Sequence, residues 1–332
     1  MNMDLTKIDF NNNFISIIIP TFNEEKYITK CLESWFNQDY PQENYEILIF
    51  DGKSTDKTID VIKELQKKHK FPNLKIFTNE KRKQVYAFNE GIKQANGDFF
   101  IIFGAHAYPE YDFLKNSVET YDKIKKEEPK LIGVGGIHHS ICENNAAEIS
   151  KLVYNTPLSG SSPYRYLMME RFSNTVVYGM YDTKMIKENN ILFDTDFITG
   201  QDFEFNLHLI KEGFKLYTNP NIVSSYYTRS SVKKFIKQTI NYGAAKGLMI
   251  RKGYFNILWL FPFGFLFMLL SIIITGVLVF IYFIIVMLDT IRLIVKTQEP
   301  SYITLPVLLF VFHCLISYGF FKGLIKGNST FK

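Results

Sequence analysis

The sequence predicts an α/β domain built on a mainly parallel sheet, with transmembrane helices in its C-terminal part. Three observations lead to this prediction. Short β-branched runs alternate with helical patterns over about the first 110 residues, as is typical of parallel βα units. Turn residues such as Asp51 and Gly52 follow the strands. Two segments near the C-terminus, residues 253–288 and 300–321, have no charged side chain.

The predicted sheet elements follow one another in a regular order. Residues 14–20 are a β-branched run that stops at a proline, which indicates a buried first strand. Further strands are predicted at residues 45–50, 74–77 and 98–103, with helices between them at residues 27–36, 54–69 and 84–95. Ligands of such sheets bind at the carboxyl ends of the strands, where Asp51 and His106 lie.

The middle of the chain is less regular. Residues 131–136 run as a strand into a glycine turn, and residues 201–210 have a helical pattern. Residues 155–163 are rich in Ser, Pro and Gly and predict a long loop, of a kind that often acts as a binding loop or lid.

Composition excludes several classes of protein. The 332 residues are 47% hydrophobic and 16% aromatic, which is ample material for a core and excludes intrinsic disorder. The net charge of +5 is too mild to indicate a nucleic-acid partner. Three cysteines without a paired spacing argue against a disulfide scaffold or a structural zinc site.

The uncharged segments are 36 and 22 residues long, whereas about 20 helical residues cross a bilayer. We predict a transmembrane region at residues 255–322, with spans at about 264–287 and 303–321. Residues 323–332 would be a cytoplasmic tail. Basic residues flank both spans, so the positive-inside rule puts both flanks in the cytoplasm with two crossings between them. A re-entrant hairpin, giving three passes, is the alternative.

Two further features concern the membrane. Residues 231–254 read as a basic amphipathic helix, which suits an anionic membrane surface or packing on the preceding domain. The N-terminus has no apolar run behind a basic start, so no signal peptide is expected. The protein is therefore predicted to be a multi-pass membrane protein whose large domain is cytoplasmic.

A set of short motifs carries a family resemblance. Their order along the chain is what makes them specific, and they lie at residues 17–24, 51–58, 79–82, 89–91, 105–107, 200–202 and 227–229. Together they resemble family 2 glycosyltransferases with the GT-A fold, and most closely the succinoglycan-type polysaccharide glucosyltransferases. The resemblance implies a GT-A nucleotide-diphospho-sugar transferase domain over residues 1–230.

The resemblance assigns a nucleotide-sugar pocket to the ends of the first strands. Carboxylates there accept hydrogen bonds from a base N–H or from ribose hydroxyls. The implied residues are Thr21, Glu24, Asp51, Ser54, Arg82 and Asn89. The alternatives are a plain turn residue for Asp51 and a solvated charge cluster for Arg82, and both stay open.

The family usually neutralises the diphosphate with a divalent metal after the fourth strand. Here Gly104 stands where the first aspartate of that motif is expected, and His106 follows. Imidazole and oxygen ligands suit Mn²⁺ or Mg²⁺. Either His106 binds the metal with water and phosphate oxygens, or the metal is weak or absent. A turn histidine that contacts the sugar is the remaining alternative.

The resemblance also supplies a general base and cationic support. Asp202 aligns with the carboxylate that deprotonates the acceptor hydroxyl, and Glu204 is a rival at the same helix start. Arg165 and Arg229 suit diphosphate or an anionic acceptor. Gln238 keeps one position of a glucan-binding motif whose Arg and Trp are replaced by Asn241 and Tyr242, which argues against processive synthesis.

These implications predict a non-processive, inverting hexosyltransferase anchored in the membrane. Its donor would be a nucleotide sugar, with UDP favoured over dTDP or GDP. Its acceptor would be a lipid-linked glycan in the synthesis of a surface or extracellular polysaccharide. Two alternatives stay open: an enzyme that glycosylates polyprenyl phosphate itself, and a catalytically silent scaffold that binds sugar nucleotides.

Overall fold

The computed structural model describes residues 13–228, 230–271 and 276–327. The described chain forms two compact units, which interleave along the sequence. The sheet unit comprises the chain up to Gly136 together with Glu170–Leu192 and Leu209–Ser224. The helical unit comprises Ile137–Met169, Phe193–His208 and the chain from Ser225 onward. This division differs from the consecutive segments expected from the sequence.

Most predicted elements are present within a residue or two of their expected ends. The strands are β1 Ile15–Thr21, β2 Tyr45–Asp51, β3 Leu74–Thr78, β4 Phe99–Ile102, β5 Ala107–Pro109, β6 Leu131–Ile141, β7 Arg171–Ser173, β8 Val177–Asp182 and β9 Lys215–Tyr227. The helices are α1 Ile28–Phe36, α2 Thr58–His69, α3 Gln84–Gln94, α4 Phe113–Lys125, α5 Asn145–Tyr154, α6 Thr183–Glu188, α7 Gln201–Lys211, α8 Val232–Arg251, α9 Phe261–Ser271, α10 Val277–Thr297 and α11 Leu305–Lys326.

Within the described residues, the strands form one sheet in the order β3-β2-β1-β4-β8-β6-β9-β5, with β7 paired to β9. The first four strands of this order are parallel, as predicted. Strand β8 then pairs antiparallel to both β4 and β6, and β7 is antiparallel to β9. The sheet is therefore mixed, and its parallel part ends at β4.

The parallel part aligns the polar ends of its strands. Every residue of β1 and β2 is buried, and helix α3 lies so close to β1 that a methyl group at Gly91 would be 2.4 Å from the Ile18 side chain. In this register Thr21 pairs with Asp51, and Asp51 with Thr78. The hydrophobic core thus brings the candidate polar residues to one edge.

The helical unit is organised around α8 and α11. Glycines on both helices bring the two backbones together. A methyl group at Gly243 would lie 2.1 Å from the Ile316 carbonyl oxygen, and one at Gly319 would lie 2.1 Å from the Ile240 carbonyl oxygen. Gly247 and Gly323 make equally close approaches. The predicted amphipathic helix at residues 231–254 is therefore present, and it packs along α11 over most of its length.

Two helices among the described residues are long and apolar enough to span a membrane, Val277–Thr297 and the segment Pro300–Lys326. The predicted span at about 264–287 does not correspond to one helix, because α9 ends at Ser271 and α10 begins after Gly276. Gly276 has a positive φ of 61°, which favours glycine and suits a turn. The segment Ile257–Ser271 is apolar but shorter.

Candidate active site

The loops that follow β1 and β2 are tied together around Asp51. One carboxylate oxygen of Asp51 accepts hydrogen bonds from the hydroxyls of Ser54 at 2.6 Å and Thr21 at 3.2 Å. The other accepts from the Ser54 backbone N–H at 2.9 Å. Three of the predicted nucleotide-binding residues thus form one network, in which Asp51 is a buried, preorganised acceptor.

A second set of hydrogen bonds fixes the same two loops. The Oδ1 atom of Asn23, a residue with a positive φ of 55°, accepts from the Thr55 backbone N–H at 2.8 Å. The Glu24 backbone N–H donates to the Thr58 hydroxyl at 2.8 Å. Desolvation would raise the pKa of Asp56, but hydrogen bonds from Thr58 and Glu25 hold that pKa below its usual value. Asp56 therefore has the structural role of holding the loops.

Two other predicted nucleotide residues lie elsewhere in the sheet unit. Arg82 is exposed, and its guanidinium lies 5.9 Å from the ring centre of Phe22, which follows β1. A phenyl ring that is 46% exposed beside a cation is a suitable surface for a planar base. Asn89 is half-buried on α3.

His106 lies in the turn that follows β4. Its Nδ1 atom is 3.2 Å from Oε1 of Glu24. The structure thus brings a predicted metal ligand into contact with a predicted nucleotide-binding residue. Metal-binding histidines commonly donate their other ring N–H to a carboxylate, and this pair fits that arrangement. Gly104 adds no side-chain ligand. Among the described residues, no group of three His, Cys, Asp or Glu could hold a metal. His106 therefore stays a predicted metal ligand, with Glu24 beside its ring.

Asp202 is the second residue of α7, in the helical unit. Its side chain is exposed at the surface, but many protein atoms lie around it. Desolvation by the surrounding protein raises the pKa of Asp202 above its usual value, against hydrogen bonds from the helix N-terminal N–H groups and the positive charge of Arg165, which lower it. A carboxylate with a raised pKa is a stronger base than an ordinary aspartate, as a general base requires.

Arg165 lies among aromatic rings in the helical unit. Its guanidinium carbon is 5.2 Å from the ring centre of Tyr154 and 5.6 Å from that of Tyr164. His138 stacks on Tyr226 with ring centres 5.5 Å apart and meets Tyr164 edge-on. Burial and the nearby Arg165 charge keep the pKa of His138 well below its usual value, so this imidazole is neutral.

Gln238 joins the same group of rings. Its side-chain amide donates to the Tyr242 hydroxyl at 3.1 Å, and Tyr242 packs edge-on against Tyr154. We call Tyr154, Tyr164, Tyr226 and Tyr242 the tyrosine cluster. Arg165 and Gln238 therefore both contact this cluster, and their role in binding an acceptor stays a prediction. Arg229 lies outside the described residues.

The predicted long loop at residues 155–163 is ordered by its contacts within the helical unit. Lys246 of α8 donates to the Gly160 carbonyl oxygen at 3.1 Å, and the Ser161 hydroxyl donates to the Tyr154 carbonyl oxygen at 2.6 Å. Burial lowers the pKa of Lys246 to about 8. The loop holds Arg165 at its end, so these contacts position the guanidinium.

Glu204, the rival for the role of base, is almost fully buried. The Tyr254 hydroxyl donates to its Oε1 atom at 2.6 Å, and burial raises the pKa of Glu204. A buried carboxyl that already binds Tyr254 serves to pack α7, which favours Asp202 for contact with a substrate.

The tyrosine cluster is the part of the site that the sequence interpretation missed. Tyr154, Tyr164, Tyr226 and Tyr242 come from four different elements, and no local motif joins them. One signal was present, since 20 tyrosines is an unusually high number for a chain of this length.

The comparisons with known proteins identify the family of the chain and its fold. Residues 16–189 match the family described as glycosyl transferase family 2. The chain belongs to this family. The GT-A fold and the glycosyltransferase activity that the sequence implied are therefore confirmed.

Curated relatives of this glycosyltransferase include a Methanococcus voltae protein that is 84% identical over 320 residues, 96% of this chain and 100% of the relative. It is named dolichyl N-acetyl-alpha-D-glucosaminyl phosphate 3-beta-D-2,3-diacetamido-2,3-dideoxy-beta-D-glucuronosyltransferase. The Staphylococcus aureus poly(ribitol-phosphate) beta-N-acetylglucosaminyltransferase TarS is 27% identical over 217 residues. That match covers 63% of this chain and 33% of TarS, so the chain spans about a third of that relative.

A solved structure extends the comparison of the fold. The mannosyltransferase PcManGT from Pyrobaculum calidifontis, in complex with GDP-Man and Mn²⁺, superposes with a TM-score of 0.62. The match covers 95% of this chain and 88% of that protein at 17% identity, and it shows a shared fold alone. A divalent metal thus occurs in a transferase of this fold.

Proposed function

We propose that this glycosyltransferase transfers a 2,3-diacetamido-2,3-dideoxyglucuronosyl group to N-acetylglucosamine carried on a dolichyl-type phosphate. The observation that carries the proposal is the 84% identity, over 96% of the chain, to the Methanococcus voltae transferase named for that reaction. A lipid-linked acceptor also agrees with the apolar helices α10 and α11. One sugar would be added per acceptor, in agreement with Asn241 and Tyr242 in place of the processive motif.

Asp202 is proposed as the general base. The product bond in the relative's name is β. One displacement at an α-linked nucleotide sugar gives a β product, and it requires removal of the proton from the attacking hydroxyl. The raised pKa of Asp202 supports this role. Arg165, among aromatic rings that suit the apolar faces of a sugar, would bind the anionic acceptor or the diphosphate together with Arg229 and Gln238.

The donor is proposed to be a UDP-linked sugar, bound by the network of Thr21, Asp51 and Ser54. Asp51 would accept hydrogen bonds from the base or ribose, and Glu24, Arg82 and Asn89 would complete the set. His106 is proposed as the protein ligand of Mn²⁺ or Mg²⁺, with Glu24 orienting its ring. When bound, the metal would neutralise charge on the diphosphate leaving group.

The acceptor decides between this proposal and its nearest alternative. Detergent-solubilised protein is incubated with UDP-2,3-diacetamido-2,3-dideoxyglucuronic acid and one of two acceptors, polyprenyl phosphate or polyprenyl-phosphate-linked N-acetylglucosamine. UDP-N-acetylglucosamine and UDP-glucuronic acid serve as comparison donors. We expect transfer only to the glycosylated lipid, giving a disaccharide whose internal bond resists mild acid.

Two results would contradict the proposal. Transfer to polyprenyl phosphate itself would make the enzyme one that synthesises lipid-phosphate sugars. Binding of the nucleotide sugar without turnover on either lipid would favour a scaffold.

We further propose that the catalytic domain is cytoplasmic and that α11 lies along the membrane on the same side. Lys151 of α5 pairs with Glu299 at 3.1 Å, and the Nε2 atom of His313 lies 2.9 Å from the Leu158 carbonyl oxygen. Residues 151 and 158 precede both apolar segments, so chain continuity keeps them on the catalytic side. These contacts support a turn between α10 and α11 on that side, against the expected outer turn.

The other end of α11 supports the same arrangement. The Arg251 guanidinium donates to the Leu324 and Ile325 carbonyl oxygens at 3.3 and 2.8 Å. A helix of 22 residues is about 33 Å long, enough to cross the hydrocarbon core, yet both ends contact segments that precede the first apolar run. The first crossing would then begin at about Ile257 and the second would be α10, with the two joined near Gly276. Exposed Lys233, Lys234 and Lys237 on α8 would contact anionic lipid.

Cysteine labelling tests this arrangement. Single cysteines are placed at Gln298 and Val277 in a variant without the native cysteines, and sealed vesicles of either orientation are treated with a membrane-impermeant maleimide. Lys63→Cys, in the sheet unit, marks the catalytic side. We expect residue 298 to react together with residue 63, and residue 277 from the opposite side. Reaction of residue 298 from the side opposite to residue 63 would contradict this arrangement. It would favour the turn outside the cytoplasm that the sequence predicts.

A further inference from the structure

Tyr178 has a backbone conformation that is unusual for a bulky residue. Its φ is +46°, in the left-handed region. Such a conformation is strained in an aromatic residue, so it persists only where the surrounding structure enforces it, and it is often found at functional sites.

A β-bulge enforces this conformation. In the pairing of β6 with β8, Val134 lies opposite Met180 and Gly136 lies opposite Val177. Two residues of β8, Tyr178 and Gly179, therefore face one residue of β6. Bulges of this kind re-aim a side chain, and they occur often beside active sites.

Glycines make the bulge possible. A methyl group at Gly135 would lie 2.7 Å from the Val176 side chain, and one at Gly179 would lie 2.7 Å from both Val176 and the Tyr181 ring. The backbones of β6 and β8 thus lie close to neighbouring side chains at two glycines beside Tyr178, where larger residues would not fit.

The bulge brings the Tyr178 side chain to the carboxyl end of β4. Its ring centre lies 4.2 Å from that of Phe103, a buried residue that follows β4 directly. A methyl group at Gly104 would lie 3.5 Å from the Tyr178 hydroxyl oxygen and 3.9 Å from the ring. The hydroxyl therefore lies beside the position where the family's first metal-binding carboxylate would be.

Gly104 also begins the turn that carries His106. The Ala107 backbone N–H donates to the Gly104 carbonyl oxygen at 3.1 Å, which closes that turn. The Tyr178 hydroxyl is thus adjacent to the segment that is proposed to face the diphosphate. Tyrosine offers a neutral O–H donor there instead of a carboxylate.

We propose that Tyr178 is a donor-binding residue whose hydroxyl donates a hydrogen bond to the diphosphate of the nucleotide sugar. In this role it adds a contact on the side of the turn where Gly104 contributes no carboxylate. The inference rests on the proposed function, because it requires that the carboxyl ends of β1, β2 and β4 bind a nucleoside diphosphate.

The test compares two nucleotides in two variants. Binding of UDP and UMP to the full-length, detergent-solubilised protein is measured by calorimetry, with GDP and dTDP alongside to verify the base. Tyr178→Phe keeps the ring on Phe103 and removes only the hydroxyl. Tyr217→Phe is the matched control, because it loses a hydroxyl that donates to Glu170 at 2.9 Å elsewhere in the sheet unit.

We expect Tyr178→Phe to weaken UDP binding by about tenfold, the typical effect of one hydrogen bond to a charged group, and to leave UMP binding unchanged. Tyr217→Phe should bind both nucleotides like the wild type. Equal binding of UDP by wild type and Tyr178→Phe would overturn the inference, and so would a parallel loss of UMP binding. A wild-type protein that binds none of the three nucleoside diphosphates would contradict the proposed donor pocket itself. Normal UDP binding by Tyr178→Phe would contradict only the inference about Tyr178.

Discussion

At the residue scale, the positive charge of Arg165 influences the pKa of Asp202. Desolvation raises the pKa of the carboxyl, whereas the guanidinium charge lowers it. The two effects have opposite consequences for catalysis. A higher pKa makes a stronger base, but it also leaves more of the carboxyl protonated at low pH. The fall of kcat/KM at acid pH should therefore depend on both Asp202 and Arg165.

Removal of the Arg165 charge should move the acid limb of the profile. In Arg165→Gln, the pKa of Asp202 loses its cationic neighbour and rises, so the limb of kcat/KM shifts to higher pH than in the wild type. Lys234→Gln, which removes an exposed cation from α8, is the control and should leave the limb in place. The measurement is kcat/KM against pH with saturating donor. An acid limb that stays at the wild-type pH in Arg165→Gln would refute the coupling.

Asp51 offers a second prediction at this scale. Its carboxylate is preorganised by Ser54 and Thr21, so the buried acceptor is in place before a ligand arrives. Asp51→Asn should weaken UDP and UMP binding together, by about tenfold or more, since both nucleotides carry the same base and ribose. Asp60→Asn, on α2, is a surface control. Loss of UDP binding with UMP binding intact would place Asp51 at the phosphates instead.

At the element scale, the close crossing of α8 and α11 defines the helical unit. Small residues that let two helix backbones approach are typical of helix pairs in membranes. Here the glycines lie four residues apart on both helices, at 243 and 247 and at 319 and 323. The crossing fixes α8, and with it Lys246 and Tyr242.

Glycine-to-alanine substitutions test this crossing. Gly243→Ala and Gly319→Ala each place a methyl group 2.1 Å from a backbone oxygen of the partner helix, so the helices must move apart. Overpacking of this kind costs about 1–3 kcal/mol, and we expect a lower Tm in detergent. Gly264→Ala in α9 has nothing within 4 Å and should be neutral or slightly stabilising, because alanine favours helices. An unchanged Tm in both crossing variants would exclude the close approach.

At the scale of the whole molecule, some features could be predicted from the sequence and others could not. The parallel strands β1 to β4 were predictable because each βα unit is encoded in a short stretch of chain. The antiparallel strands β8, β6 and β9 were not, since their order depends on pairings between distant segments. The tyrosine cluster escaped prediction for the same reason. Tyr154 and Tyr242 lie 88 positions apart and meet only in the folded helical unit.

The membrane part shows what hydropathy alone leaves undecided. Composition correctly located two long apolar segments, because hydrocarbon excludes charged side chains. It did not indicate that α11 uses part of its apolar surface to pack on α8 and α5 of its own unit. A helix that buries 44% of its most apolar window serves as core as well as anchor. The contacts of Lys151 with Glu299 and of Arg251 with the last turn of α11 support the proposed arrangement, and hydropathy does not show them.

The central claim is that Asp202 is the base of a glycosyl transfer to a lipid-linked sugar. The most direct test is Asp202→Asn, with transfer from the UDP-linked diacetamido-glucuronic acid to polyprenyl-phosphate-linked N-acetylglucosamine measured beside UDP binding. Asparagine keeps the size and the helix start but cannot accept the proton. We predict a loss of kcat of about 10²- to 10⁴-fold with UDP binding unchanged. Transfer at the wild-type rate in Asp202→Asn would contradict the claim and direct the search to another base.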